Sequence, residues 1–244
     1  MNRNSFTNLY PVTSFLLLLN VGFYILQMLG HDMGAVQTAH IQKGEYWRLI
    51  SGTFMHGPWW HIGMNCMILL DLGRFCEPLL SKSKFFSIYT LSALGGSVST
   101  YIWEFRIYLQ NQPFDQWAPI LLGLQETTAG QGAPSIFSGG TVGCSGAIAG
   151  LVGMMLVYSI KEHHPALRSM LLRWILWVAL ITFLLPNISH SSHIGGLVIG
   201  AICGLTATDY ATSATSLRWR IPAGLTGLAL VTSLGWAVYK ALLS

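Results

Sequence analysis

The chain has 244 residues, of which 52% are hydrophobic and only 9% charged, and its mean hydropathy is +0.51. An ordinary soluble domain carries roughly 25% charged residues, so the composition excludes a water-soluble globular enzyme and describes a membrane protein. The formal net charge of +4 asks for no nucleic-acid partner, because Lys and Arg collect on the cytoplasmic face of multi-pass proteins.

A membrane span needs about 20 mostly apolar residues. In chain order such stretches lie near 11–29, 59–79, 84–103, 145–160, 170–186, 191–209 and 221–243, seven in all, with the fourth and fifth short. The first ends in LQMLGHDMG without a small-residue cleavage pattern, so it is expected to stay as a transmembrane helix rather than act as a secretion signal; the residues before Tyr10 are too few for an organellar transit peptide. A cytoplasmic N-terminus places nine Lys and Arg inside and four outside, the four being Lys43, Arg48, Arg106 and Lys240. With that orientation, the second, fourth and sixth spans all begin on the outer side of what is expected to be the cell membrane.

Residues 30–58 mix aromatics, His and Gly and are too hydrophobic for a solvated linker. They are expected in the membrane interface, with Tyr46 and Trp47 at headgroup level. Residues 104–142 form a second long outer loop, with Pro113, Pro119 and Pro134 and an apolar patch, APILLGL, too short to cross. The whole reads as a single helical transmembrane domain over 1–244, with a core of about 11–209 and an extra C-terminal helix at about 219–243. Cys66, Cys76, Cys144 and Cys203 match neither zinc-knuckle nor CxxC spacing and are expected to be reduced and buried.

Polar side chains at membrane depth are costly and face a bundle interior or a wet cavity. The second span carries His61 and Asn65 one turn apart on one face, the fourth begins with Ser145, and the sixth begins with His190 and His193. All share one depth. Gly143, Gly146, Gly150 and Gly153 make a bare stripe on the fourth span, and Gly196, Gly200 and Gly204 continue below His193 on the sixth. Smooth faces of this kind let transmembrane backbones approach closely. If the two stripes face each other, the Ser145 hydroxyl meets the His193 imidazole. A hydroxyl is a weak nucleophile until a base takes its proton, and an imidazole suits that task. His61, Asn65 and the Ser145 backbone N–H can then donate to an oxygen that becomes negative during acyl transfer. No intramembrane Asp or Glu is placed to orient His193, so a dyad is expected rather than a triad.

These residues resemble the rhomboid family of intramembrane serine proteases, over a stretch from about Glu45 to Asp209. EYWR at 45–48 is similar to the family's first-loop Trp-Arg motif, HGPWWHIGMN at 56–65 to its His and Asn pattern, GCSG at 143–146 to its nucleophile motif, and HIGGLVIG at 193–200 to its sixth-span motif; Glu77 follows Asn65 at the family's spacing. The resemblance implies a six-helix bundle, here with an added seventh helix. It implies Ser145 as nucleophile, His193 as base, and His61 and Asn65 in the oxyanion hole. Arg48, Glu77, Gly196 and Gly200 would be structural, with His56 and Gly143 beside the cavity and His190 a possible accessory group. The implied reaction is hydrolysis of peptide bonds in or next to transmembrane segments of membrane-protein substrates within the bilayer, without metal or cofactor. The aromatic that family members often carry four residues after the serine is Ala149 here.

Other readings remain beside this one. Asn20 and Gln27 are expected to make helix-to-helix hydrogen bonds. A metal site could use His56, His61, His190 and His193, but there is no HExxH and no carboxylate at ligand spacing. An aspartyl protease would need a partner for Asp71, the only Asp well inside a span. The alternative function is that of a catalytically weak relative that binds and escorts membrane helices.

Overall fold

The computed structural model describes residues 6–110, 140–184, 188–207 and 217–243. Its elements in chain order are α1 (Phe6–Leu9), α2 (Pro11–Met28), α3 (Thr38–Gln42), α4 (Arg48–Ser51), α5 (Trp59–Leu79), α6 (Lys82–Gln110), α7 (Ser145–Lys161), α8 (Pro165–Leu184), α9 (His190–Thr206) and α10 (Leu217–Leu243). The only β pairing among the described residues is an isolated bridge, Val36 with Thr141. Three helical stretches, Pro11–Met28, Pro165–Leu184 and Trp219–Leu242, are long and apolar enough by themselves to cross a membrane. The other long helices carry the polar residues that the bundle interior absorbs.

Two helix bounds differ most from those expected. The fifth stretch begins at Pro165, not near 170, and is a helix of 20 residues rather than a short one. Arg168 and Arg173 hide its start from hydropathy, while Pro165 at the first helical position fits the backbone. The turn before it closes α7 through the bonds His163 N to Ile160 O, 3.3 Å, and His164 N to Ser159 O, 2.8 Å, with His163 in the left-handed region at φ 55°. Both histidines are exposed. The third stretch runs on to Gln110, so Glu104 and Arg106 sit on a helix and not in the loop. The proline-bearing segment and APILLGL lie outside the described residues, as does Asp209.

At the centre stands α7, buried on every face from Gly146 to Met155. Its most extensive neighbour is α9, with α6 against both. A Cβ placed on Gly196 or on Gly200 would collide with the carbonyl of Gly146 or of Gly150, respectively. The two stripes therefore do face each other, backbone on backbone. Gly95 and Gly96 also bring α6 close to α9, where an added Cβ would meet Ile199 and Ser192. One hydrophobic cluster joins α2, α5, α6 and α7 through Leu16, Leu69, Tyr89 and Leu151. A second joins α2 and the first loop to α10 through Phe23, Met33, Phe54 and Leu234.

Polar anchors hold the remaining pieces. The Glu77 carboxylate, 5% exposed, accepts from Val12 N and Thr13 N at 2.9 Å and from Thr13 Oγ1 at 2.6 Å. It thus caps the first turn of α2, whose N–H groups have no partner of their own. Asn20 gives Nδ2 to the Leu16 carbonyl of its own helix, 2.8 Å. Gln27 clamps the loop ahead of α5, giving Nε2 to His56 O at 2.6 Å and taking His56 N at 3.1 Å. Among the described residues Gln27 makes no helix-to-helix bond, because a loop backbone group lay within reach. Asp71 has a loose partner on its own helix, Arg74 at 3.9 Å, and points outward.

Candidate active site

The site forms where α5, α7 and α9 begin. The loop strand carrying Thr141 pairs with Val36, N–O distances 3.0 and 2.9 Å, and Gly143 N then bonds Gly52 O at 3.1 Å. These three bonds fasten the segment before α7 to the first loop. The chain next turns through Gly143 at φ 113°, a conformation open to glycine and strained for other residues. A Cβ there would lie 2.8 Å from His61 Cε1 and 3.3 Å from Asn65 Nδ2. Gly143 is thus not the top of the helical stripe, which begins at Gly146; it is the turn that lets two side chains of α5 approach Ser145.

Ser145 opens α7, and its Oγ stands 2.8 Å from His193 Nε2. Both residues are half-buried. His193 lies in the first turn of α9, one turn above Gly196, so the glycine contact sets the distance between hydroxyl and imidazole. Among the described residues no carboxylate lies within ion-pair distance of His193; the one His–carboxylate pair is His40 with Glu45. As the first residue of α7, Ser145 presents an N–H without an intrahelical acceptor. Asn65 is buried and its Nδ2 has no hydrogen-bond partner among the described residues. A buried amide left unpaired is costly, and here it lies beside the turn that carries Ser145. His61 is half-buried next to it.

Behind the turn, His56 is fully buried. Its Nδ1 contacts Phe54 O at 3.2 Å and its Nε2 contacts Cys144 Sγ at 3.8 Å, and its ring packs edge-on to His61 with centroids 5.3 Å apart. The Cys144 thiol therefore faces away from the Ser145–His193 pair. The cysteines are free; three are buried and Cys66 is half-buried. His190 is exposed at the start of α9, one turn before His193. Among the described residues no group of three His, Cys, Asp or Glu could hold an ion. Arg48, 5% exposed, bonds Glu45 through Nε and approaches Asp32 at 3.5 Å, which ties the first loop to itself. Burial alone would raise the Glu45 carboxyl, but the Arg48 bond and the charges of Arg48 and His40 hold it below its ordinary value.

Sequence reasoning missed Gln27 as the clamp on His56, the Val36–Thr141 bridge, and α6 as a third close-packed helix. The Gly95–Gly96 pair, one turn from Ser92 and Ser99, carried the small-residue signal for the last of these.

Residues 43–210 match the family model described as Rhomboid domain, well over half the chain. The chain belongs to the rhomboid family. This rhomboid protein is 28% identical over 174 residues to "Rhomboid protease AarA" of Providencia stuartii, covering 66% of this chain and 56% of that relative. It is 24% identical over 220 residues to "Putative rhomboid protease YdcA" of Bacillus subtilis, covering 83% of this chain and 93% of the relative. With "Rhomboid protease GluP" of the same species it shares 25% over 170 residues, 68% of this chain and 27% of that one. The chain therefore spans little more than half of the first relative and nearly all of the second. Family membership and the apolar helices make it an integral membrane protein.

Proposed function

We propose that this protein is an intramembrane serine endopeptidase that hydrolyses peptide bonds in or next to transmembrane segments of membrane-protein substrates. The observation that carries this reading is the 2.8 Å approach of Ser145 Oγ to His193 Nε2 at the head of a glycine seam. Relatives named as rhomboid proteases support it. Neutral His193, with its proton on Nδ1, accepts the Ser145 proton at Nε2 while Oγ bonds to the substrate carbonyl carbon. The carbonyl oxygen takes the negative charge and accepts from the Ser145 N–H, Asn65 Nδ2 and His61. The C–N bond then breaks as His193 returns the proton to the leaving amine. A water repeats the sequence on the ester: its proton goes to His193, and the departing Ser145 Oγ receives it back.

The long helices form a six-helix bundle plus α10, in one domain over 1–244. The N-terminus lies in the cytoplasm and the site opens to the outer face of the cell membrane, in line with the nine-to-four division of Lys and Arg. Arg48 and Glu77 brace the scaffold. His56 supports His61.

The test is cleavage of a transmembrane substrate by the purified protein in detergent, together with fluorophosphonate labelling. Ser145→Ala is expected to abolish both, and Asn65→Ala to lower turnover by roughly 10- to 1,000-fold. Undiminished cleavage by Ser145→Ala removes the nucleophile. A helix escort would bind client helices in either form and hydrolyse none.

A further inference from the structure

At the end of the bundle that holds Ser145, a groove of about 580 Å³ separates the first loop from α10. Lys43, Tyr46 and Trp47 line one wall, and Trp236 and Lys240 the other. Of the four cations assigned to the outer side, Arg48 is paired with Glu45 and Asp32, and Arg106 lies over the Trp103 ring at 5.5 Å. The other two, Lys43 and Lys240, come from opposite ends of the chain and converge on this groove. Among the described residues neither lysine has a carboxylate within ion-pair distance. Glu45 lines the same groove, but its charge is already shared by Arg48 and His40.

The walls define what anion would fit. Lys240 Nζ stands 5.9 Å from the Trp236 ring centroid, and Thr232, Trp236 and Lys240 recur at one-turn intervals along one side of α10. Below them on the same side Leu228 and Leu225 are exposed apolar side chains, the surface that acyl chains cover. Aromatic side chains beside lysine are the usual furniture of the headgroup layer. A soluble anion would use the two ammonium groups and leave the apolar strip bare, whereas a lipid uses both.

We propose that this groove holds one anionic phospholipid, its phosphate between Lys43 and Lys240 and its acyl chains along α10. Each basic residue near a membrane surface strengthens attraction to anionic lipid by roughly five-fold. The reading is independent of catalysis, since its measure is lipid retention.

The experiment compares the wild type with Lys43→Gln, Lys240→Gln and the double variant, each reconstituted in nanodiscs of phosphatidylcholine with increasing phosphatidylglycerol. Native mass spectrometry after release into detergent counts the retained lipid. The wild type is expected to keep one phosphatidylglycerol in preference to phosphatidylcholine, each single variant to keep it roughly five-fold less, and the double variant about 25-fold less. Lys82→Gln, an exposed lysine at the opposite end of the bundle, should match the wild type. Both groove lysines are exposed, so thermal midpoints should not move. Retention by the double variant equal to the wild type overturns the proposal, as does equal retention of the two lipids. Displacement of the lipid by equimolar glycerol phosphate overturns it too, because that identifies a site for free anions.

Discussion

The seam between α7 and α9 and the loop that leads into α5 are built on opposite rules. The seam works by omission: Gly146 and Gly150 meet Gly196 and Gly200 with no side chain between them. The loop works by attachment: Gln27 grips His56, Arg48 grips Glu45, and Val36 pairs with Thr141. Packing by omission fails when an atom is added; packing by attachment fails when a bond is removed. Ser145 sits where the two regions join, with His193 delivered by the seam and the turn at Gly143 held by the loop.

The sharpest way to break this contrast is to add one methyl group. Gly200→Ala puts a Cβ against the carbonyl O, C and Cα of Gly150, and backbone atoms cannot swing aside. Overpacking in a filled core costs about 1–3 kcal/mol and sometimes more, and here it also forces His193 away from Ser145. Thermal unfolding in detergent should show a marked loss, and substrate cleavage should fall at least ten-fold. Gly224→Ala on α10, where nothing lies within 4 Å of the new Cβ, should instead be neutral or stabilise by about 0.5–1 kcal/mol, as alanine does in a helix interior. Equal effects at the two positions would mean that the seam is not closed.

Removing an attachment should cost stability alone. Glu77→Gln keeps the shape but gives the first turn of α2 one acceptor oxygen and one NH₂ where it had two carboxylate oxygens. One of the N–H groups of Val12 and Thr13 loses its partner, and a hydrogen bond to a charged group is worth roughly 1.5–3 kcal/mol. A loss of about 2 kcal/mol in stability is expected, with turnover of the folded fraction unchanged. An unaltered unfolding midpoint would reduce Glu77 to a bystander.

The same contrast explains what could be read from the chain without coordinates. Seam and site follow local periodicity: a glycine every third or fourth residue marks a helix face, and a serine and a histidine at the heads of two such faces follow from spacing alone. Attachments do not. Glu77 lies 64 residues from Thr13, and no pattern near either one announces the pair. Gln27 looked like any polar residue in a span, because its partner is a backbone carbonyl that has no signature in sequence. Gly143 was misplaced for a related reason. Its spacing continues the stripe, but α7 starts two residues later, and helix starts are what periodicity resolves least. Hydropathy failed at α8 where arginines occupy the first turns.

The smallest effect, and the finest test of the contrast, lies at Cys144. The Phe54 carbonyl can only accept, so His56 Nδ1, 3.2 Å away, carries the ring proton and Nε2 is left as an acceptor. The only donor at that nitrogen among the described residues is the Cys144 thiol at 3.8 Å. Cys144 is thus an attachment in the residue next to Ser145. Cys144→Ala strands a buried imidazole nitrogen, at a cost of about 1–2 kcal/mol, and loosens the ring on which His61 leans. Cys144→Ser keeps a donor of similar size and should lie within about 0.5 kcal/mol of the wild type. The ranking of unfolding midpoints, wild type and serine together above alanine, is the measurement. If serine and alanine destabilise equally, the thiol acts by volume alone, and the turn before Ser145 belongs to the seam's rule of shape and not to the loop's rule of bonds.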